Sequence, residues 1–203
     1  MIVATVLKSG GIYSPEWVHK LERSVSDHLT LSHEFVCLTD MDVDCKRIPL
    51  RDDLPGWWSK IELFRPGLFD DRVVYFDLDT LVLGDLTELA AYSGPFAGLR
   101  DFIYPARMQS AVMAWEPTTE TDLVYERFRP SVMEDRAMWS DQPWIDACLP
   151  DTDRLQDHAR GIYSLRLQAL QARPTDAVLV CGHGTPRFND RGAGWAHTVW
   201  SDL

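Results

Sequence analysis

One short segment restricts the possible folds more than any other: four apolar residues, Val73 to Phe76, are followed at once by Asp77-Leu-Asp79. A strand made only of apolar residues is typical of the middle of a mainly parallel sheet, because helices cover both of its faces. The two aspartates come at its carboxyl end, where open α/β sheets bind their ligands. The segment therefore predicts a layered α/β fold with an acidic site at one edge of the sheet.

The remaining patterns agree with that fold. The spacing of apolar residues predicts strands over 2–7, 35–38, 95–99, 111–115 and 178–181, and helices over 15–29, 57–66, 118–128 and 143–149. A Gly-rich tail is expected after the last strand. There is no internal repeat and no Gly/Ser linker, so residues 1–203 are predicted to form a single Rossmann-like domain with a mainly parallel central sheet flanked by helices.

Composition excludes several classes of function. The chain has 20 basic and 31 acidic residues, a formal charge of −11, and 45% hydrophobic residues. Constitutive nucleic-acid binding is unlikely on that charge, because phosphate contacts need clustered basic residues, although a local arginine groove and a modified-base acceptor stay open. The spacing of the four cysteines is unlike that of a metal site. No apolar run is long enough to cross a bilayer, and the first residues are unlike a signal peptide. A cytoplasmic protein is expected.

The acidic pair indicates a metal. If the strand alternation continues, Asp77 and Asp79 lie on the same side, where two like charges repel each other unless a cation lies between them. Carboxylate oxygens suit Mg²⁺ or Mn²⁺, which usually also hold substrate phosphates. The simpler alternative is a polar turn after a strand.

Two reaction classes use such a pair. In a nucleotide-sugar glycosyltransferase the Asp-x-Asp motif holds a metal on the diphosphate; in a haloacid-dehalogenase-like phosphatase the first aspartate is the nucleophile. The phosphatase places its pair on the first strand and needs a lysine downstream, whereas this pair follows the third predicted strand and no lysine follows Lys60. A third alternative is a non-catalytic nucleotide-sugar binding module.

Seven stretches in order resemble the glycosyltransferase family 8-like group of GT-A nucleotide-sugar transferases. They are Val6-Leu-Lys-Ser-Gly-Gly-Ile-Tyr13, Cys37-Leu-Thr-Asp40, Pro55-Gly-Trp-Trp-Ser-Lys-Ile-Glu-Leu-Phe64, Tyr75-Phe-Asp-Leu-Asp-Thr80, Val112-Met-Ala-Trp115, Asp141-Gln142 and Gly182-His-Gly-Thr-Pro-Arg187. The resemblance implies transfer of a sugar from a nucleoside-diphosphate donor, with a UDP-sugar as the expected donor, to the hydroxyl of a saccharide or other acceptor, with retention of anomeric configuration.

The resemblance also implies roles for individual residues. Donor binding would involve the turn after the first strand, the end of the second strand, the helix over 57–66 and the loop after the last strand. The residues are Ser9, Gly10, Gly11, Tyr13, Thr39, Asp40, Lys60, Gly184 and Arg187. Tyr13 would stack on the base. Arg187 stands where the family usually has lysine, and Phe188 replaces its final proline.

The metal site and the reacting centre are implied in the same way. Asp77, Asp79 and His183 would ligate Mn²⁺ or Mg²⁺. Asp141 and Gln142 would lie beside the donor sugar, and Lys60 would contact donor phosphate or sugar. Neither Asp141 nor Gln142 is assigned as a nucleophile.

Overall fold

A computed structural model describes all of residues 1–203, and its centre is a seven-stranded sheet. In spatial order the strands are β3 (Lys46–Pro49), β2 (Glu34–Thr39), β1 (Ile2–Leu7), β4 (Val73–Phe76), β7 (Met108–Trp115), β6 (Phe96–Arg100) and β8 (Asp153–Arg154). Only β7 runs antiparallel to its neighbours. The sheet confirms the mainly parallel α/β architecture.

Strand β4 is central, as its composition predicts. Its four residues are at most 1% exposed, and it pairs with β1 on one side and β7 on the other. Because side chains alternate along a strand, Val74 and Phe76 join one hydrophobic core, whereas Val73 and Tyr75 join the other.

The two cores are covered by different elements. One face packs against α1 (Pro15–His28) through Trp17, Val18, Leu21 and Val25. The other packs against a helix over Gly56–Phe64 and against α3 (Thr119–Glu126) and α4 (Asp141–Cys148). The short α2 (Thr87–Ala90) adds Leu89 and Ala90 to the first core. Both faces of the central strands are therefore excluded from solvent, whereas the edge strand β3 is largely exposed.

The segment predicted as an amphipathic helix over 57–66 is a 3₁₀ helix from Gly56 to Phe64. All residues from Trp58 to Phe64 are buried, so it has no solvent-facing stripe. The helix is enclosed between the sheet and helices α3 and α4, and its polar residues Ser59, Lys60 and Glu62 are buried with its apolar ones.

A second sheet of three short strands was not predicted. Strand β10 (Leu179–Cys181) lies between β5 (Thr80–Val82) and β9 (Ile162–Ser164). Strands of three residues are too short to show alternation, and only β10 was expected as a strand. The expected C-terminal Gly-rich tail is also wrong beyond Gly194, because helix α5 spans Trp195–Asp202.

Two smaller findings concern the compartment predictions. All four cysteines are free thiols. The longest α-helix has 14 residues, and none has the length and hydropathy that a membrane crossing requires.

Candidate active site at the junction of the two sheets

The acidic turn joins the two sheets. Strand β4 ends at Phe76, and Asp77-Leu78-Asp79 leads directly into β5. The Asp77 amide donates to the Ala111 carbonyl of β7 at 2.7 Å, and the Asp79 carbonyl accepts from the Gly182 amide at 2.6 Å. The two aspartates thus stand in a turn, not in the strand that the alternation argument assumed, and each is fixed to a different sheet.

Asp77 belongs to a buried charged cluster. Lys60 Nζ lies 3.0 Å from Oδ1 of Asp77 and 3.1 Å from Oδ2 of Asp141. Ser110 donates to the same Asp141 oxygen at 2.6 Å and lies 3.2 Å from Lys60 Nζ, while Tyr75 donates to Asp77 at 2.6 Å. Lys60 is 8% exposed, and its ammonium group lies within 3.3 Å of four side-chain oxygens, two of Asp77 and one each of Asp141 and Ser110. One ammonium group therefore balances one of the two carboxylate charges of this cluster and is shared between them.

Asp79 has no such cation. Its Oδ2 accepts from the Tyr13 hydroxyl at 2.6 Å, and no Lys or Arg nitrogen lies within ion-pair distance of it. Burial, with the charge of Asp77 as the second cause, raises the pKa of Asp79 to about 7. A buried carboxylate next to a second carboxylate is the arrangement that a bound cation would relieve.

The predicted nucleoside residues come together around Asp40. This carboxylate accepts from the Ser9 amide at 2.8 Å, from the Ser9 hydroxyl at 2.7 Å and from Lys8 at 2.6 Å. Gly10 has φ +79, a conformation that favours glycine in this turn, and Gly11 follows it. Thr39 instead caps its own turn, because its hydroxyl accepts from the Met41 amide at 2.9 Å and the residue is fully buried.

The Gly182-His183-Gly184 loop follows β10 and closes over the acidic turn. A Cβ on Gly182 would lie 3.0 Å from the Asp79 carbonyl oxygen, so only glycine allows this approach without movement. His183 Nε2 lies 2.6 Å from the Ser164 hydroxyl, and its ring stacks on Phe102 with centroids 5.9 Å apart. Burial, and then the charge of Arg166, lowers the pKa of His183.

Two arginines approach this loop. Arg187 has a buried Nε with no hydrogen-bond partner. Burial raises the pKa of Tyr13, and the nearby Arg187 side chain acts in the opposite direction and lowers it. The Arg166 Nη1 lies 3.2 Å from the position of a Cβ on Gly184, which has φ +76. Phe188, the departure from the family pattern, is fully buried in the core. The loop therefore offers guanidinium donors beside a glycine backbone.

Asp141 and Gln142 begin helix α4 but contact different groups. Asp141 is 3% exposed and accepts from Lys60 and Ser110. Gln142 Nε2 instead donates to Oδ2 of Asp101 at 3.3 Å. Asp141 thus belongs to the buried charged cluster, whereas Gln142 lines a surface cavity of about 600 Å³.

The three residues predicted to bind metal are not arranged as a metal-binding group, and no other set of three His, Cys, Asp or Glu residues is. The atoms that would coordinate are held by Lys60, Tyr13 and Ser164. The donor chemistry nevertheless fits a hard divalent cation, because two carboxylates and an imidazole suit Mn²⁺ and Asp79 has no countercharge. Coordination would require Asp77 and His183 to exchange their present partners.

Four contributors were missed from the sequence: Tyr75, Asp101, Ser110 and Arg166. Tyr75 reads as one more apolar residue of a buried strand, and its hydroxyl is its only polar signal. The contacts that bring Ser110 and Asp101 to the site join residues 31 to 50 positions apart in the sequence. Arg166 contacts Gly184 from a separate segment of the chain. No local pattern marks them.

Comparison with solved structures supports the fold. GlyE of Streptococcus pneumoniae TIGR4, described as a glycosyltransferase, superposes on this chain with a TM-score of 0.68 and 12% sequence identity. The match covers 98% of this chain and 59% of the GlyE chain. An active-site mutant of LgtC matches the whole chain with a TM-score of 0.68 and 12% identity, and 94% of that chain is covered.

A third structure, the bifunctional glycosyltransferase WbbM, matches 99% of the chain with a TM-score of 0.67 and 11% identity, over 51% of its own length. No family model matches the chain, and neither does any curated protein sequence. The layered sheet, its strand order and these matches together assign the chain to the GT-A fold that these glycosyltransferases share.

Proposed function

We propose that the protein is a metal-dependent glycosyltransferase that moves a sugar from a nucleoside-diphosphate donor, a UDP-sugar by preference, to an acceptor hydroxyl with retention. One observation carries the proposal: the Asp77-Leu78-Asp79 turn and the Gly182-His183-Gly184 loop are hydrogen-bonded to each other at the carboxyl edge of a GT-A sheet. The acidic pair thereby lies beside the backbone of the loop that carries His183, at the edge where such a sheet binds ligands.

The nucleoside would bind near Ser9, Gly10, Gly11 and Asp40. The Asp40 carboxylate already organises the turn through both donors of Ser9, so a ribose or base would meet a preformed surface. Tyr13 links this region to Asp79 through its hydroxyl, and its ring would lie along the bound base.

The diphosphate would lie between the acidic turn and the glycine loop. Asp77, Asp79 and His183 would hold Mn²⁺ or Mg²⁺, and the metal, when bound, would neutralise the diphosphate and the charge that develops on it as it leaves. Arg187 and Arg166 would donate to phosphate oxygens, a contact that guanidinium groups make bidentately. The flexible glycine backbone allows a close approach.

Lys60 has a different role from the direct donor contact that the family resemblance implies. Its donors face Asp77, Asp141 and Ser110, so we propose that it fixes these groups and offsets part of their negative charge. Gln142, which lines a cavity, would lie beside the anomeric carbon, and Asp141 would act on the sugar only through the cluster.

A panel of nucleotide sugars with Mn²⁺ tests the proposal, with released nucleoside diphosphate and melting temperature as readouts. We expect one donor to stabilise the protein and to release nucleoside diphosphate only in the presence of metal. Asp79→Asn should abolish both effects, whereas Asp27→Asn, an exposed carboxylate on α1, should change neither. Full activity in EDTA would contradict the metal dependence.

The same panel separates the alternatives. Release of inorganic phosphate from small phosphomonoesters, without nucleotide-sugar turnover, would identify a phosphatase. Donor binding that never leads to transfer or hydrolysis would identify a binding module.

A further inference from the structure

We infer that the acceptor site is the cavity beside Gln142 and that it takes a ring-shaped acceptor carrying an anionic group, a phosphate or a carboxylate. This inference rests on the proposed function and adds the class of acceptor. The cavity has a volume of about 600 Å³ and is lined by Arg107, Arg136, Trp139, Gln142 and Asp146, among others. A larger cavity of about 960 Å³ is lined by none of the predicted site residues.

The cavity is physically connected to the catalytic region. Asp101 Oδ2 accepts from Gln142, and Oδ1 of the same carboxylate accepts from the amides of Ile103 and Tyr104 at 2.7 Å each. The loop closes on itself because the Asp101 amide donates to the Arg107 carbonyl at 3.0 Å. A single carboxylate therefore positions both Gln142 and the loop that carries Arg107.

The same loop also touches the proposed metal site, since Phe102 stacks on His183. The loop therefore borders the cavity through Arg107 and the proposed metal site through Phe102. An acceptor in the cavity would lie next to Gln142, where its hydroxyl could reach a sugar held beside the same residue.

Charge identifies the acceptor class. Arg107 and Arg136 are exposed and form no ion pair with a carboxylate; the Arg107 guanidinium lies over the Tyr104 ring, 5.1 Å from its centroid. The only acidic residue lining the cavity, Asp146, lies 4.0 Å from Arg154. In a chain of net charge −11, two unpaired arginines around one cavity make a local cationic surface that suits an anion.

An aromatic surface completes the cavity. Trp139 is 56% exposed, so its indole is available for stacking on a sugar ring. The turn before it is ordered by Asp135, whose carboxylate accepts from the Ala137 amide at 2.8 Å. Arg136 thus lies within a fixed turn and Trp139 follows that turn directly, which favours recognition of a ring and an attached anion together.

Calorimetric titration with three sugars tests the inference without any donor: glucose 6-phosphate, glucuronate and methyl glucoside. We expect at least one anionic sugar to bind at least tenfold more tightly than the neutral glycoside. Arg107→Ala and Arg136→Ala should each weaken that binding about tenfold, the cost of one charge-assisted hydrogen bond. Arg160→Ala, an exposed arginine outside the cavity, should leave it unchanged.

A second pair of variants isolates the aromatic contact. Trp139→Ala should weaken binding of the anionic sugar, whereas Trp57→Ala, equally exposed at 56% but outside the cavity, should not. Equal or tighter binding of methyl glucoside, or wild-type affinity in both arginine variants, would overturn the inference.

Turnover distinguishes this inference from the proposed function. If the anionic sugar binds with the expected arginine dependence but no nucleotide sugar is ever bound or hydrolysed, the transferase assignment fails and the cavity assignment stands. If donor hydrolysis occurs and only neutral glycosides accept the sugar, the cavity assignment fails and the transferase assignment stands.

Discussion

The ammonium group of Lys60 lies 3.0 Å from Oδ1 of Asp77, whose side chain is 24% exposed. The same ammonium group lies 3.1 Å from Oδ2 of the buried Asp141, while Asp79, two residues along the chain from Asp77, has only the Tyr13 hydroxyl. The two aspartates of the turn are therefore electrostatically unequal. Asp79 lacks a countercharge, whereas Asp77 is paired with Lys60 and would have to exchange that contact for one to a metal ion.

Replacement of Lys60 should be costly to stability. Lys60→Met leaves the buried Asp141 and the partly exposed Asp77 without a countercharge, so we expect the free energy of unfolding to fall by about 3 kcal/mol in urea denaturation. Lys46→Met removes an exposed pair with Glu34 and should cost about 1 kcal/mol or less.

A double variant checks the cause. Adding Asp141→Asn to Lys60→Met removes one of the two stranded charges, so the pair should be less destabilising than the sum of the single changes. Additive effects, or a loss below about 1 kcal/mol for Lys60→Met alone, would show that the lysine does not balance this cluster.

A methyl group at Gly182 should disturb the acidic turn. In Gly182→Ala the new Cβ would lie 3.0 Å from the Asp79 carbonyl oxygen and 3.2 Å from Asp79 Cβ, so the backbone must shift. We expect the variant to lose about 1 to 3 kcal/mol of unfolding free energy and to bind Mn²⁺ more weakly. Gly192→Ala, whose Cβ would be 3.6 Å from Pro186, should behave as wild type.

Asp40 should titrate at unusually low pH. Burial raises its pKa, but hydrogen bonds from Lys8 and Ser9 outweigh burial and hold the pKa below its ordinary value of 3.8. Because the folded-state pKa is the lower one, the ionised carboxylate stabilises the fold above pH 3.8, and that contribution is lost as the pH falls through the lowered value.

Carbon NMR of the aspartate side chains measures this directly. The Asp40 carboxyl signal should titrate below pH 3.8, and Lys8→Ala should move its midpoint upward. A wild-type midpoint at or above 3.8 would be inconsistent with the hydrogen-bonded arrangement.

The fold was far more predictable from the sequence than the site. An apolar run such as Val73 to Phe76 is a local signal, because burial on both faces constrains each of its residues. Asp77, Asp79 and His183 were recognisable since they follow strands at the ligand-binding edge. The three-residue strands β5 and β9 show too little alternation to be recognised, and their pairing depends on β10 far along the chain.

The partners of the site residues were beyond sequence reasoning for a similar reason. Lys60 looked like a surface residue or a phosphate ligand, since its burial depends on the packing of the 3₁₀ helix against β4 and β7. Ser110 and Asp101 have ordinary neighbours in the sequence. Their roles arise only when β7 and the loop that precedes it are placed beside α4.

Arg166 should contribute to donor binding although no motif marks it. Its guanidinium lies against Gly184, so Arg166→Ala is expected to weaken UDP binding about tenfold in calorimetry, whereas Arg160→Ala should not. Because the charge of Arg166 adds to burial in lowering the pKa of His183, the same variant should raise that pKa in an imidazole NMR titration. Unchanged values in both measurements would remove Arg166 from the site.

The attachment of Asp77 to Ala111 and of Asp79 to Gly182 has a mechanical consequence. Each aspartate is attached to a different sheet, so the distance between the two carboxylates depends on the orientation of the small sheet relative to the large one. A ligand that bridges the two carboxylates would fix that orientation. Any motion of the small sheet would move His183 and Asp79 together. A change that makes the contact between the two sheets more rigid is therefore expected to change the affinity for a bridging cation as well.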